Sequence, residues 1–332
     1  MYLLLGISLS LAVIMIVNFA IAIFVSAAWN VLSRFVEKMP SVVRGRAIFI
    51  LRVLPMVAAM LLVTFFIIPA YVLYEPYSTG EVVSLKLASL AVLALLGFGI
   101  ALYRILRTAW LTRGLMSEWM TSATKLDVAG IDVPLYRFHH KFPVVAVVGM
   151  FRPRIFVASN VLEALDHDEF NATLAHEFGH LSSKDNLKRG ILLICRDLLI
   201  LPVGKRLESA WSDNAEEAAD EFASLHTNGA AIDLASALVK IGKLVPAGSY
   251  PAMPAGAYLI DEHAGDISSR IRRLLKINDG EIKMSAKSGS RLSQLWLAIA
   301  LVVSFAAMVP FINNSTLAFT HEGIEALVKF LQ

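Results

Sequence analysis

The sequence predicts a mainly α membrane protein, with four transmembrane helices and an α+β domain inserted between the third and fourth. Three observations carry that reading. Apolar residues make up 57% of the 332 residues, and the mean hydropathy is +0.64. Charged residues contribute 17%, well below the roughly 25% of an ordinary soluble domain. Four apolar runs are long enough to cross about 30 Å of hydrocarbon as α-helices, and one long charged region separates the last from the others.

The first run, residues 2–29, carries no charge, and the first charged residue is Arg34. A signal peptide with Ser26-Ala27-Ala28 as a weak cleavage site is the rival reading; the absent basic n-region and the long apolar stretch favour a retained helix. The second run, residues 47–74, contains Arg52, which is expected to snorkel to the headgroups. The third covers 85–106 and the fourth 292–312. These bounds divide the chain into three helices within 1–109, a domain over 110–291, the fourth helix, and a short tail over 313–332.

Cationic loops resist translocation, so Lys and Arg set the orientation. Arg34, Lys38, Arg44 and Arg46 fill the first loop; Arg104, Arg107 and Arg113 follow the third helix; Lys283, Lys287 and Arg291 precede the fourth. These flanks share one side. The expected arrangement is a multi-pass protein of a bacterial cytoplasmic membrane, with the N-terminus and C-terminal tail outside and the inserted domain cytoplasmic. A net charge of +3 without a basic stripe interleaved with aromatics gives no expectation of nucleic acid. The single cysteine, Cys195, excludes an intramolecular disulfide or a thiolate cage and reads as a buried small hydrophobe. A metal site would therefore use histidine and carboxylate.

Within the insert, Val133–Phe138, Val144–Met150 and Ile155–Ser159 read as short strands of a hairpin or small sheet. Ser159 or Asn160 can cap one helix, and Asp166 or Asp168 the next, which carries Phe170, Leu174, Phe178 and Leu181. The segment Ile191–Val203 is too short to span a bilayer and reads as a core helix or one lying on the membrane surface.

The chemistry is concentrated in His176-Glu177-Phe178-Gly179-His180. Residues four apart share a helix face, so both imidazoles can bind one Zn²⁺ while Glu177 acts as general base and acid toward a water. A third ligand is required. The acidic segment Asp213-Asn214-Ala215-Glu216-Glu217-Ala218-Ala219-Asp220-Glu221 offers two faces, Glu216 with Asp220, and Asp213 with Glu217 and Glu221. Spacing leaves the choice open, and such a run is also a common solvated surface.

Residues 147–185, "VVGMFRPRIFVASNVLEALDHDEFNATLAHEFGHLSSKD", together with "EEAAD", resemble the BlaR/MecR-type membrane zinc metallopeptidases. That gluzincin-like family is related to the HtpX-type and CAAX-processing peptidases. The resemblance implies that Glu216 is the third zinc ligand and that Asp220 orients a ligand histidine. Asp185 matches an aspartate common after the motif, with helix termination as the alternative. Arg270, in "SSRIRRLL", resembles an arginine that could steady an oxyanion or a carboxylate, although a basic face toward anionic lipid accounts equally for Arg270, Arg272 and Arg273. His226 and His263 are weaker transition-state candidates, and His139-His140 reads as loop. The strand Val144, Val145, Ala146, Val147, Val148, Gly149, Met150 could pair with an extended substrate if it lies at a sheet edge.

The expected activity is membrane-embedded, zinc-dependent endopeptidase cleavage of a protein or peptide at the cytoplasmic face, in a regulatory role. HtpX-like quality control is the alternative, and a zinc-stabilised receptor or scaffold is an alternative of another class. BlaR/MecR sensors continue into an external penicillin-binding domain. About twenty residues follow Ile312 here, without a Ser-x-x-Lys motif, so direct β-lactam sensing is not expected.

Overall fold

A computed structural model of the chain describes residues 1–77, 83–128, 133–197, 203–246, 264–282, 310 and 312–331. Among the described residues, three helical rods are long and apolar enough to cross a membrane: Tyr2–Val36, Ser41–Tyr74 and Leu85–Thr121. The first is α1. The second is α2 (Ser41–Leu62), a π turn (Val63–Ile67) and α3 (Ile68–Tyr74) in unbroken succession. Pro69 has no N–H to offer the carbonyl one turn back, and the wider π turn before it accommodates that missing bond.

The third rod, α4, extends well past the expected end at Leu106. Its 37 residues measure about 55 Å, nearly twice the hydrocarbon thickness. The extension carries Trp119 into the core of the domain that follows it, where it stacks on Phe138 at 4.6 Å and meets Phe156 edge-on at 5.3 Å. Hydropathy marks where lipid contact ends, whereas the helix backbone has no reason to stop there.

The domain contains a four-stranded sheet, β1 (Thr124–Leu126), β2 (Leu135–Phe138), β3 (Val145–Val148) and β4 (Arg154–Ala158), ordered β1-β2-β4-β3. β2 and β4 run parallel; β1 and β3 flank them antiparallel. β3 therefore lies at one edge. Helices α5 (Ser159–Ala164), α6 (His167–Ser183), α7 (Asp185–Asp197), α8 (Lys205–Ser224), α9 (Ala230–Leu244) and α10 (Ala264–Asn278) follow. Ser159 does not cap α5: its hydroxyl donates to the Phe138 carbonyl and accepts from Arg137 Nε. The loop histidine His140 is engaged through Nδ1 at Phe142 and packs against Trp119.

The domain is bolted to one end of the membrane helices. Val25, Trp29 and Val36 of α1 and Ile48 of α2 form a cluster with Leu192 of α7 and with Leu207 and Trp211 of α8. Leu192 thus seats α7 against the membrane helices and α8, while residues 198–202 of the expected 191–203 segment lie outside the described residues. Arg52 corrects the snorkelling expectation: it is 3% exposed and donates to Glu208 of α8 at 2.6 and 2.9 Å. At the opposite end, Asn314–Leu331 forms a helix, α11. Leu317, Ile324 and Val328 of α11 pack with Leu5 and Leu9 of α1, Tyr71 of α3 and Leu87 of α4. All of the expected fourth span, 292–312, except residues 310 and 312, and the basic residues before it lie outside the described residues.

Candidate active site

α6 owes its start to a capping box. The Asp166 carboxylate accepts the N–H groups of Asp168 and Glu169 at 3.1 and 3.0 Å, and the Glu169 carboxylate accepts that of Asp166 at 2.9 Å. Of the two expected caps, Asp166 serves. α6 ends at Lys184, whose left-handed φ of 55° reverses the chain and brings Asp185 back against the last turn.

His176 and His180 occupy the face of α6 opposed to α8, and Glu177, next to His176, has Val147 of β3 as its hydrogen-bond partner. The two helices approach closely at Gly179, where a Cβ would stand 2.9 Å from Ala219 Cα. His176 Nε2 and His180 Nε2 lie 3.2 Å apart, and the Glu216 carboxylate lies 3.6 and 3.5 Å from them. Among the described residues these three side chains form a group whose ligand atoms lie within 4.8 Å of one another.

The outer nitrogens fix the tautomers. His176 Nδ1 faces Asp220 at 3.0 Å and His180 Nδ1 faces Asp185 at 2.9 Å, so each Nδ1 carries a proton and each Nε2 is turned inward toward the other ligand atoms. Glu216 Oε2 is buried and makes no well-directed hydrogen bond among the described residues, although Arg270 Nη1 is 3.1 Å away. Three potential ligand atoms thus converge, an arrangement that a cation would satisfy. The residues fit a metal ion, and the two-histidine, one-carboxylate set suits zinc.

The surrounding carboxylates favour positive charge at this site, held by a proton on His176 or, in its place, by a bound cation. Burial alone would depress the His176 pKa, but hydrogen bonds with Asp220 and Glu216 outweigh it and bring it up to about 9. Burial would raise the Glu216 pKa, yet His180, Arg270 and His176 hold it well below the usual carboxylate range. Asp220 is likewise lowered despite burial, by Arg270 and His176. Glu177 moves the other way. It is 4% exposed, and burial raises its pKa.

The acidic run is not a solvated surface. Arg270 takes Asp220 at 2.7 and 3.1 Å and reaches Glu216. One turn on, Arg273 pairs with Glu217 and Glu221, which Arg44 and Ser41 of the membrane helix α2 hold from the other side. Arg270 and Arg273 therefore face α8, and only Arg272 of that trio is exposed, which corrects the lipid-facing reading. Asp185 does more than end a helix. His226 stands exposed in the turn after α8 and makes none of these contacts among the described residues; its position beyond the last turn carries it away. His263 lies outside the described residues.

The substrate-strand candidates Val144 to Met150 include the edge strand. The Val144 carbonyl accepts from Ala158 N–H at 2.8 Å, so residues 145 and 147 direct their backbone groups away from β4. The Val147 N–H donates to Glu177. Sequence reasoning missed Asn186, whose side chain donates to the Val147 and Gly149 carbonyls at 3.0 and 3.2 Å, and Arg44, which it counted only as a topological charge.

The fold and the site define a membrane-associated metallopeptidase. In agreement, residues 144–240 match the model of peptidase family M48, a stretch that runs from β3 through most of α9 and holds His176, Glu177, His180 and Glu216. No curated protein matches the chain.

Proposed function

We propose that this chain is a zinc-dependent endopeptidase, embedded in a bacterial cytoplasmic membrane, that cleaves protein substrates at or near the cytoplasmic face. The observation that carries the reading is the convergence of His176 Nε2, His180 Nε2 and the Glu216 carboxylate within 4.8 Å, with Glu177 on the same helix. His176, His180 and Glu216 would hold the ion, which when bound supplies Lewis acidity toward a scissile carbonyl and a water. Glu177 takes the proton of the attacking water and passes it to the leaving amine. Val147 N–H fixes the Glu177 carboxylate, while Asp220 and Asp185 fix the imidazoles. Arg270 neutralises Glu216 and Asp220, and its nearness to His176 also suits it to steady an oxyanion.

A regulatory role of the BlaR/MecR kind is supported by the attachment of α8 to α2 through Ser41, Arg44 and Arg52. A shift of the membrane helix would act directly on the helix that carries Glu216. An HtpX-like quality-control role predicts many damaged substrates instead of one, and a zinc-stabilised receptor or scaffold predicts no turnover. The deciding experiment uses Glu177→Gln, which keeps zinc and abolishes cleavage. Substrate trapping with that variant in native membranes yields one protein for regulation, many for quality control and none above a His176→Ala control for a scaffold. Full proteolysis by Glu177→Gln would overturn the mechanism.

A further inference from the structure

Val147 is the residue at which catalysis and strand pairing meet. Its N–H serves Glu177, and its carbonyl, on the same outward edge of β3, accepts from Asn186 Nδ2 at 3.0 Å. The same nitrogen donates to the Gly149 carbonyl at 3.2 Å. In a fully extended strand the carbonyls of residues two apart are about 6.6 Å distant, farther than one nitrogen can bridge. Gly149 closes that gap because its φ of 109° curls the chain, with Arg152 O 2.8 Å from where a Cβ would lie.

A carboxamide presents the same N–H donors as a peptide bond, so Asn186 occupies the outward Val147 carbonyl of this edge that an added strand would use. The edge leads outward beyond it: Met150 is 44% and Phe151 84% exposed. α7 lies alongside, with Met150 Cε 2.5 Å from where a Cβ on Gly190 would stand. A peptide laid along β3 from that end meets Asn186 before it reaches Glu177.

We propose that Asn186 is a latch on the substrate-pairing edge, and that an extended peptide binds by displacing its side chain from the Val147 and Gly149 carbonyls. This rests on the peptidase reading above. The substrate must then supply a backbone N–H opposite Val147, so proline is excluded at the residue that pairs there.

The test uses full-length protein loaded with zinc in detergent micelles and fluorescein-labelled β-casein as probe. Asn186→Ala and the near-isosteric Asn186→Leu remove the donor, and Asn186→Ser retains a single one. Without the latch, KM falls about three- to tenfold while kcat changes by less, with Asn186→Ser in between. In a Glu177→Gln background, the Kd of labelled casein measured by anisotropy falls by the same factor. If KM and Kd stay level or rise while kcat and the melting temperature fall together, Asn186 merely pins the β3–β4 turn and the latch is refuted. Casein cleavage by the wild-type chain that Glu177→Gln does not remove, or no cleavage at all, overturns the peptidase reading and the latch with it.

Discussion

Asp220 Oδ1 lies 3.0 Å from His176 Nδ1 while Arg270 holds both oxygens of the same carboxylate, so one buried aspartate fixes the tautomer and the ring plane of the first ligand histidine. His180 has its own carboxylate in Asp185. Asp220→Asn keeps the shape and removes the charge, and such outer partners are typically worth about 10- to 100-fold in metal affinity. Chelator competition should show a loss of that size for Asp220→Asn and for Asp185→Asn. Unchanged affinity in both would mean that the carboxylates serve only packing.

The distance between the ligand histidines and Glu216 depends on a residue without a side chain. A Cβ on Gly179 would lie 2.9 Å from Ala219 Cα and 3.2 Å from Ala219 Cβ. Backbone cannot swing aside as a flexible side chain can, so Gly179→Ala should push α6 from α8 at a cost of about 1–3 kcal/mol. Weaker zinc binding should accompany the lost stability. Ala219→Gly should restore only part of both, because the closer contact is with Cα. Denaturant unfolding and zinc titration on the same samples check this, and a stable variant with normal zinc affinity would show that the helices can separate without consequence.

The local features were legible because they are short-range: the i, i+4 histidines, the Asp166 cap and the strand bounded by Pro143 and Arg152-Pro153-Arg154 all follow from neighbours in sequence. What joins the domain to the membrane helices was not. Arg52 to Glu208 and Arg44 to Glu217 span 156 and 173 residues, and a charge read by itself looks like topology or solvation. The two faces of the acidic segment were visible as a spacing, but not that arginines three apart on α10 would take one each. The length of α4 escaped for another reason: a hydropathy window registers lipid contact, and Trp119 lies beyond it in a different core.

Arg52 gives the sharpest test of that junction. Its side chain is 3% exposed and that of Glu208 20%. Removing one partner strands a buried charge, which typically costs about 3–5 kcal/mol, whereas replacing both by apolar residues of similar volume is often close to neutral. Glu208→Gln should therefore lower the melting temperature of the detergent-solubilised protein more than the double change Arg52→Met with Glu208→Leu. The reverse order would mean that Arg52 reaches solvent or lipid headgroups after all.

Acid sensitivity should trace in part to Glu169, remote in function from the ligands but at the root of their helix. Burial alone would raise its pKa. Lys240 at 2.6 Å, Ser236 at 2.6 Å and the Asp166 N–H more than offset this, and hold it below the ordinary 4.5. With the folded pKa depressed, the unfolded chain binds more protons in the acid range. The stabilising contribution is therefore complete above pH 4.5 and disappears as pH falls through the lower folded value. Glu169→Gln loses the ion pair with Lys240 at every pH. Its melting temperature should lie below that of the wild type at pH 7 and approach it as the pH drops below about 4. Acid protonation of the histidines affects both proteins alike, so the difference between the curves isolates Glu169. Parallel curves down to pH 3 would show that this carboxylate does not link folding to protons.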